Sequence, residues 1–256
     1  EIDKKIKELS LNNKPIFVLD SQKIKEIQPD LIISQNMCEV CAPFDGEIQQ
    51  ISKILGYTPK NLILSPKNIS EIFKSIVLIG QEIGNIDLAL YKVKELNKRI
   101  DTIKDALKDF FNIHKITKPK IICLEWISPF YLAGHWVPEM VEIAGGINGI
   151  GKIGSPSEII SIDRIREFNP DKIIIMPCGF DIKRTSIESM ILRNDKNWNL
   201  LKAAEMDEVY FVDANSYFSK PSTRIITGIE ILAKILYPDL FKELGIPSEC
   251  YEKFVK

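Results

Sequence analysis

Two distant stretches repeat one short pattern, and that repeat restricts the fold more than any other feature. Residues 24–33 read Ile-Lys-Glu-Ile-Gln-Pro-Asp-Leu-Ile-Ile, and residues 165–174 read Ile-Arg-Glu-Phe-Asn-Pro-Asp-Lys-Ile-Ile. Each is the end of a short helix, a Pro-Asp stop and an apolar β-branched run. Proline stops the helix because it has no amide hydrogen and its ring clashes with the preceding turn. The Ile-rich run reads as a strand apolar on both faces, as buried parallel strands are. Helix, Pro-Asp and strand is also a common α/β connection, so the pattern alone leaves two readings, a shared connection or a repeated architecture. The wider context favours the second.

After the first copy, the pattern predicts a helix at 47–55, a strand at 61–65 and a helix at 69–83. After the second it predicts a helix at 185–192, a strand at 209–213 and a helix at 222–236. Strands at 16–19 and 121–125 precede the two copies. Strands alternating with helices imply parallel sheets with right-handed crossovers, and so two similar α/β lobes. A duplicated domain with no shared ligand would read the same. Between the lobes, residues 88–114 contain no Pro or Gly, and Leu88, Val93, Leu96, Ile100, Ile103 and Leu107 fall on one helical stripe. Such a helix runs roughly 40 Å; its linking role rests on its position. The expected organisation is an N-terminal lobe at 1–86, a rigid linking helix at 87–116 and a C-terminal lobe at 117–256.

Composition excludes several classes. A net charge of −1 leaves no electrostatic footprint for nucleic acid. With 45% hydrophobic residues, 13 Gly and 14 Pro, the chain is neither disordered nor fibrous. No apolar run reaches the ~18 residues of a membrane-spanning helix. Five cysteines in 256 residues do not make a disulfide scaffold. The start, Glu1-Ile2-Asp3-Lys4-Lys5, has neither an initiator Met nor an apolar signal region, and reads as a processed form or a fragment.

Ligands of parallel α/β sheets sit beyond the carboxyl ends of the strands. The first such loop carries Gln35, Cys38, Glu39 and Cys41; the second carries Trp126, His135 and Trp136. The third carries Cys178, Gly179, Phe180 and Asp181, and the fourth Tyr217, Phe218, Ser219 and Lys220. Two of three Trp, three of five Cys and one of two His fall in these loops, and Lys220 is their only Lys or Arg. Strand ends rich in aromatic rings suit a large flat ligand. Cys38, Cys41, Cys178 and His135 also invite a metal- or thiol-dependent enzyme, but only one Cys-x-x-Cys half-site exists. Glycine-rich nucleotide loops, a serine elbow and a His-Glu-x-x-His helix are absent. Glu125 and Glu139 are the remaining acid–base candidates, and Glu139 is equally a first-turn helix acid.

At these loops the sequence resembles the cobalamin-binding branch of the substrate-binding proteins that serve iron–siderophore and cobalamin ABC importers. The resemblance is carried by Pro29-Asp30-Leu31-Ile32-Ile33-Ser34-Gln35 with Cys38-Glu39-Val40-Cys41, and by Cys123-Leu124-Glu125-Trp126 with Ala133-Gly134-His135-Trp136-Val137-Pro138-Glu139-Met140. Met176-Pro177-Cys178-Gly179-Phe180-Asp181 and Tyr217-Phe218-Ser219-Lys220-Pro221 complete it. It implies two α/β lobes joined by one rigid helix, with the ligand in a cleft between them. It implies no catalysis, a transported corrinoid rather than a cofactor, and a monomer outside the cytoplasm. Trp126, Trp136, Phe180, Tyr217 and Phe218 become apolar walls, Gln35, Asp181, Ser219 and Lys220 polar edges, and His135 a candidate cobalt ligand. One acid on each lobe, Glu47 and Asp163, would dock on permease arginines. The same fold would carry a ferric siderophore or haem as the alternative ligand. The family begins with a strand, loop and helix ahead of Glu1, so the first lobe is expected to be incomplete at its start.

Overall fold

A computed structural model of the chain describes residues 18–36 and 47–254. Its contacts divide into two compact units, Glu1–Pro66 and Lys67–Lys256.

The first unit contains α1 (Ser21–Ile27), β1 (Leu31–Gln35), α2 (Glu47–Leu55) and β2 (Lys60–Leu64). The Asp20 side chain caps α1 by accepting from the Lys23 amide, and the helix ends at Gln28, φ 48°, whose amide returns to Ile24 O. Pro29 follows at once and prevents a further turn. β1 and β2 pair in parallel, from Leu31 opposite Lys60 to Gln35 opposite Leu64. Of the strand expected at 16–19, residues 18–19 are not in a strand and the rest lies outside the described residues. So does the loop that holds Cys38, Glu39 and Cys41.

The second unit begins with α3 (Ile69–Glu82) and α4 (Ile86–His114), then β3 (Ile121–Ile127), β4 (Phe130–Leu132) and α5 (Val137–Ile143). β5 (Glu158–Ile159), α6 (Ile162–Phe168), β6 (Lys172–Ile175) and α7 (Ile182–Glu188) follow. A 3-10 turn (Ser189–Asn194), α8 (Lys196–Asn199), α9 (Lys202–Glu205), β7 (Val209–Val212), α10 (Ala214–Tyr217), α11 (Ile225–Leu236) and β8 (Tyr251–Lys253) complete it. The sheet order is β5-β4-β3-β6-β7-β8. β3, β6 and β7 are parallel, whereas β4, β5 and β8 run antiparallel to their neighbours. The sheet is therefore mixed rather than parallel throughout. Ile121–Leu124, Ile173–Ile175 and Val209 are fully buried, which explains their unbroken apolar runs. The hairpin that folds β4 back on β3 lies in a segment expected to be loop; three residues at a sheet edge leave too short an alternation to signal a strand.

The second copy of the repeat matches the first in detail. The Ser161 hydroxyl caps α6 at the Arg164 amide, α6 has seven residues like α1, and it ends at Asn169 with φ 54°. Pro170-Asp171 then leads into β6. Asp171 Oδ2 accepts from the Lys120 amide at 2.8 Å and Oδ1 from Lys202 Nζ at 2.7 Å.

α4 has 29 residues and buries Ala89, Leu96, Ile100, Ile103 and Leu107, with Val93 half-buried. Leu88, expected on this stripe, is 65% exposed. Successive residues on a helix point about 100° apart, and Ala89 holds the required spacing to Val93 and Leu96. A Cβ at Gly80 would meet Ala89 Cβ at 2.4 Å, so the glycine lets α3 and α4 close on each other. α3 and α4 pack together, and α4 also packs on α5 and α11, all within the unit that begins at Lys67. Arg99 ties α4 to α11: Nε donates to Glu230 Oε1 at 2.8 Å, and Nη2 to Glu230 Oε2 at 2.5 Å and Thr227 Oγ1 at 2.9 Å.

At the far edge, Glu208 joins β6, β7 and β8 through Lys172, Tyr210 and Lys253. Burial pushes the Glu208 carboxyl up, but the hydrogen bond and charge of Lys172, helped by Tyr210 and Lys253, hold it below its ordinary 4.5. A depressed carboxyl contributes stability above its unfolded pKa and loses it as pH falls through the folded one. Acid unfolding followed by circular dichroism from pH 7 down to 3 should therefore lose less stability in Glu208→Gln than in the native chain. Equal acid sensitivity would show that the pair does not couple to folding.

Candidate ligand-binding site

Since β3, β6 and β7 run in the same direction, their carboxyl ends share one edge of the sheet. Backbone bonds tie the loops there together. Met176 N donates to Leu124 O at 2.8 Å and Cys178 N to Glu125 O at 3.1 Å, fastening the loop after β6 to β3. Gly179, with φ 76°, donates to Ser219 Oγ at 3.1 Å, and Asn215 N donates to Phe180 O at 3.0 Å, joining that loop to the one after β7. Trp126 meets Phe180 edge-on with ring centroids 5.5 Å apart.

The His135 loop is held by its neighbours. His135 N donates to Ser155 O at 2.7 Å, Gly154 N to His135 O at 2.9 Å, and Gly134 N to Ser157 Oγ at 3.2 Å. His135 adopts φ 53°, and its ring lies 5.8 Å from that of Trp136. The Trp136 indole donates to Phe218 O at 2.9 Å, linking this loop to the one after β7.

Exposure sorts the expected site residues into two sets. Cys178, Gly179, Asp181 and Lys220 are exposed, and Gln35, Trp126, His135, Tyr217 and Ser219 are half-buried. Trp136, Phe180 and Phe218, expected as ring walls, are 4%, 6% and 2% exposed. They lie under the surface: a buried indole usually finds an acceptor, and Trp136 finds the Phe218 carbonyl. Asp181 caps α7 by accepting from Arg184 N at 2.8 Å. Lys220 Nζ donates to Asn215 Oδ1 at 2.9 Å.

Two cations at this edge escaped the loop survey. The Arg184 guanidinium covers the Phe180 ring at 3.9 Å. Burial, Asp213 and Cys250 raise the Tyr217 hydroxyl pKa while Arg224 opposes them, which puts Arg224 within electrostatic reach of that ring. Both arginines lie just past the windows surveyed. The four-residue interval from Phe180 to Arg184, entering a helix, was the signal available for the first.

Among the described residues no group of three or more His, Cys, Asp or Glu is placed to hold a metal ion, and none of their helices is long and apolar enough to cross a membrane. Cys123 is buried in β3, and burial pushes its thiol pKa far up. A separate groove of about 610 Å³ lies between α3, α4 and α5, floored by Phe73, Val77, Ile100 and Ile143. Of the acid–base and ligand-binding candidates named from the sequence, only Glu139 borders it.

Residues 18–216 match the family described as periplasmic binding protein. The chain belongs to that family. The uncharacterized ABC transporter substrate-binding lipoprotein YvrC of Bacillus subtilis (strain 168) is 26% identical over 227 residues, 87% of this chain and 66% of its own length. The chain thus spans just under two thirds of that curated relative. Among solved structures, a periplasmic heme binding protein of Pseudomonas aeruginosa aligns with a TM-score of 0.71 at 14% identity, covering 93% of this chain and 82% of that one. The periplasmic vitamin B12 binding protein BtuF of Vibrio cholerae aligns with a TM-score of 0.61 at 17% identity, covering 87% and 80%. These likenesses support the α/β fold of bilobal periplasmic binding proteins.

Within this family member, Asp163 is exposed in the first turn of α6 and pairs with Arg166 at 3.2 Å. Glu47 opens α2. Glu139 has a function that its own helix does not reveal: Oε2 accepts from the Ile69 amide at 2.8 Å and so caps α3. Asn68 and Glu71 complete that cap at the Glu71 and Lys67 amides. Glu139→Ala should cost about 1 kcal/mol by urea unfolding; no loss would mean that Asn68 and Glu71 suffice.

Proposed function

We propose that the chain captures a corrinoid and delivers it to the permease of an ABC importer outside the cytoplasm, making and breaking no covalent bond. The observation that carries this reading is Trp126, half-buried and braced edge-on by Phe180 where three strand-end loops are tied together. Tyr217 adds a second ring, and Ser219, Asp181 and Lys220 add polar groups for a ring periphery. The likeness to vitamin B12 binding BtuF is consistent with this ligand. In this reading His135 faces the cobalt, and Gln35, Cys38, Glu39 and Cys41 contribute from the first lobe. Glu47 and Asp163 meet permease arginines as a monomer docks. Such surface pairs set orientation and encounter rate more than affinity.

Calorimetry with cyanocobalamin tests the proposal. Binding should weaken roughly five- to a hundredfold in Trp126→Ala, since stacking on one aromatic ring is worth about 1–3 kcal/mol. A shifted visible spectrum that reverts in His135→Ala would support the cobalt contact. Haem is the second reading, favoured by Arg184, Lys220 and Arg224, which suit its carboxylates. Heat with haemin and none with cyanocobalamin would put haem first.

A further inference from the structure

The strand-end edge is more cationic than its loops alone encode. Arg184 stacks its guanidinium face on Phe180 at 3.9 Å, and that stack leaves the in-plane N–H donors available, the edge that grips carboxylate or phosphate in a fork. Among the described residues no carboxylate lies within ion-pair distance of Arg184, Lys220 or Arg224. Two acids of these loops are turned to the backbone: Asp181 Oδ1 accepts from the Arg184 amide, and Asp213 Oδ1 from the Ser216 amide at 2.9 Å. Arg184 and Lys220 are also linked to one another through the fold. Phe180, beneath Arg184, accepts from the Asn215 amide, and the Asn215 side chain holds Lys220. Phe180 in turn braces Trp126, so a ring lying on Trp126 would bring its rim towards Arg184.

We propose that Arg184, supported by Lys220, is an anion-reading subsite, and that the corrinoid accepted carries an anionic oxygen group on its periphery. The inference rests on the corrinoid reading and narrows it. Two sources supply this chemistry: the phosphodiester of a complete nucleotide loop, or ionised carboxylates around a ring that has not been amidated.

The test titrates the full chain and its Arg184→Gln and Arg184→Lys variants with cyanocobalamin, dicyanocobinamide and cobyrinic acid. The first has the phosphodiester, the second neither anion, the third the carboxylates. The anion-bearing compound should bind the native chain roughly ten- to a hundredfold more tightly than dicyanocobinamide, as a charge-assisted contact implies. That preference should vanish in Arg184→Gln, survive in part in Arg184→Lys, and shrink with added salt. Preference for cyanocobalamin identifies the phosphodiester; preference for cobyrinic acid identifies the carboxylates. Equal affinities for all three compounds in all three proteins would overturn the subsite and leave the corrinoid reading standing. No heat from any compound with the native chain would overturn both. Arg184 is exposed, so the variants should unfold at nearly the native temperature, which separates a lost contact from a misfolded protein.

Discussion

Replacing Arg99 by alanine is expected to destabilise the protein by about 3 kcal/mol. The guanidinium makes two bonds to Glu230 and one to Thr227, across the contact between α4 and α11. Glu230 lies on the most apolar helix of the second unit and its side chain is 9% exposed, whereas that of Arg99 is 39% exposed. Removing the arginine strands a buried carboxylate, and that desolvation dominates the loss. Water reaching the space vacated by Arg99 limits it to the lower end of the usual 3–5 kcal/mol. The double variant Arg99→Met, Glu230→Met should lose much less than Arg99→Ala, because no charge is left buried. Urea unfolding of both proteins decides the matter. A double variant as unstable as the single one would show that the ion pair itself, rather than the stranded charge, carries the stability.

Gly134→Ala is expected to disturb stability and ligand binding together. A Cβ there would meet Ser155 O at 2.5 Å, Pro156 C at 2.6 Å and Ser157 N at 2.6 Å. All three are backbone atoms, so no side chain can rotate away and one of the two segments must shift. Overpacking of this kind costs about 1–3 kcal/mol, and the upper end is expected here. The shift falls on the bonds that Ser155 and Gly154 make with His135. Cyanocobalamin affinity should therefore fall further in Gly134→Ala than in Glu139→Ala, which loosens a cap at the other end of the same segment. Native stability and affinity in Gly134→Ala would show that the 155–157 segment yields freely.

The elements that could be read from sequence are those written within one turn of chain. Both Pro-Asp copies end a seven-residue helix at a left-handed residue and open a parallel strand. Asp20 and Ser161 cap those helices at the amide three residues on. The α4 stripe was off by one residue at its start, because Leu88 is the larger apolar side chain but Ala89 sits in register. The loops after β6 and β7 follow their strands as expected, yet which of their rings reach solvent was not legible. Trp126 and Trp136 were both expected in the loop after a strand, yet Trp126 lies half-buried within β3 opposite Tyr131 while Trp136 is buried beyond β4.

What the sequence determined by itself was the α/β alternation, the two copies of one helix–strand unit and the loops that carry rings and thiols. These follow from proline geometry, capping and hydrophobic period, all of which act over a few residues. Tertiary structure alone decided that Glu139 caps a helix 70 residues earlier and that Arg99 serves Glu230 from 131 residues away. Each of these depends on which helices lie side by side. Packing sets that neighbourhood, and no spacing within a single segment records it.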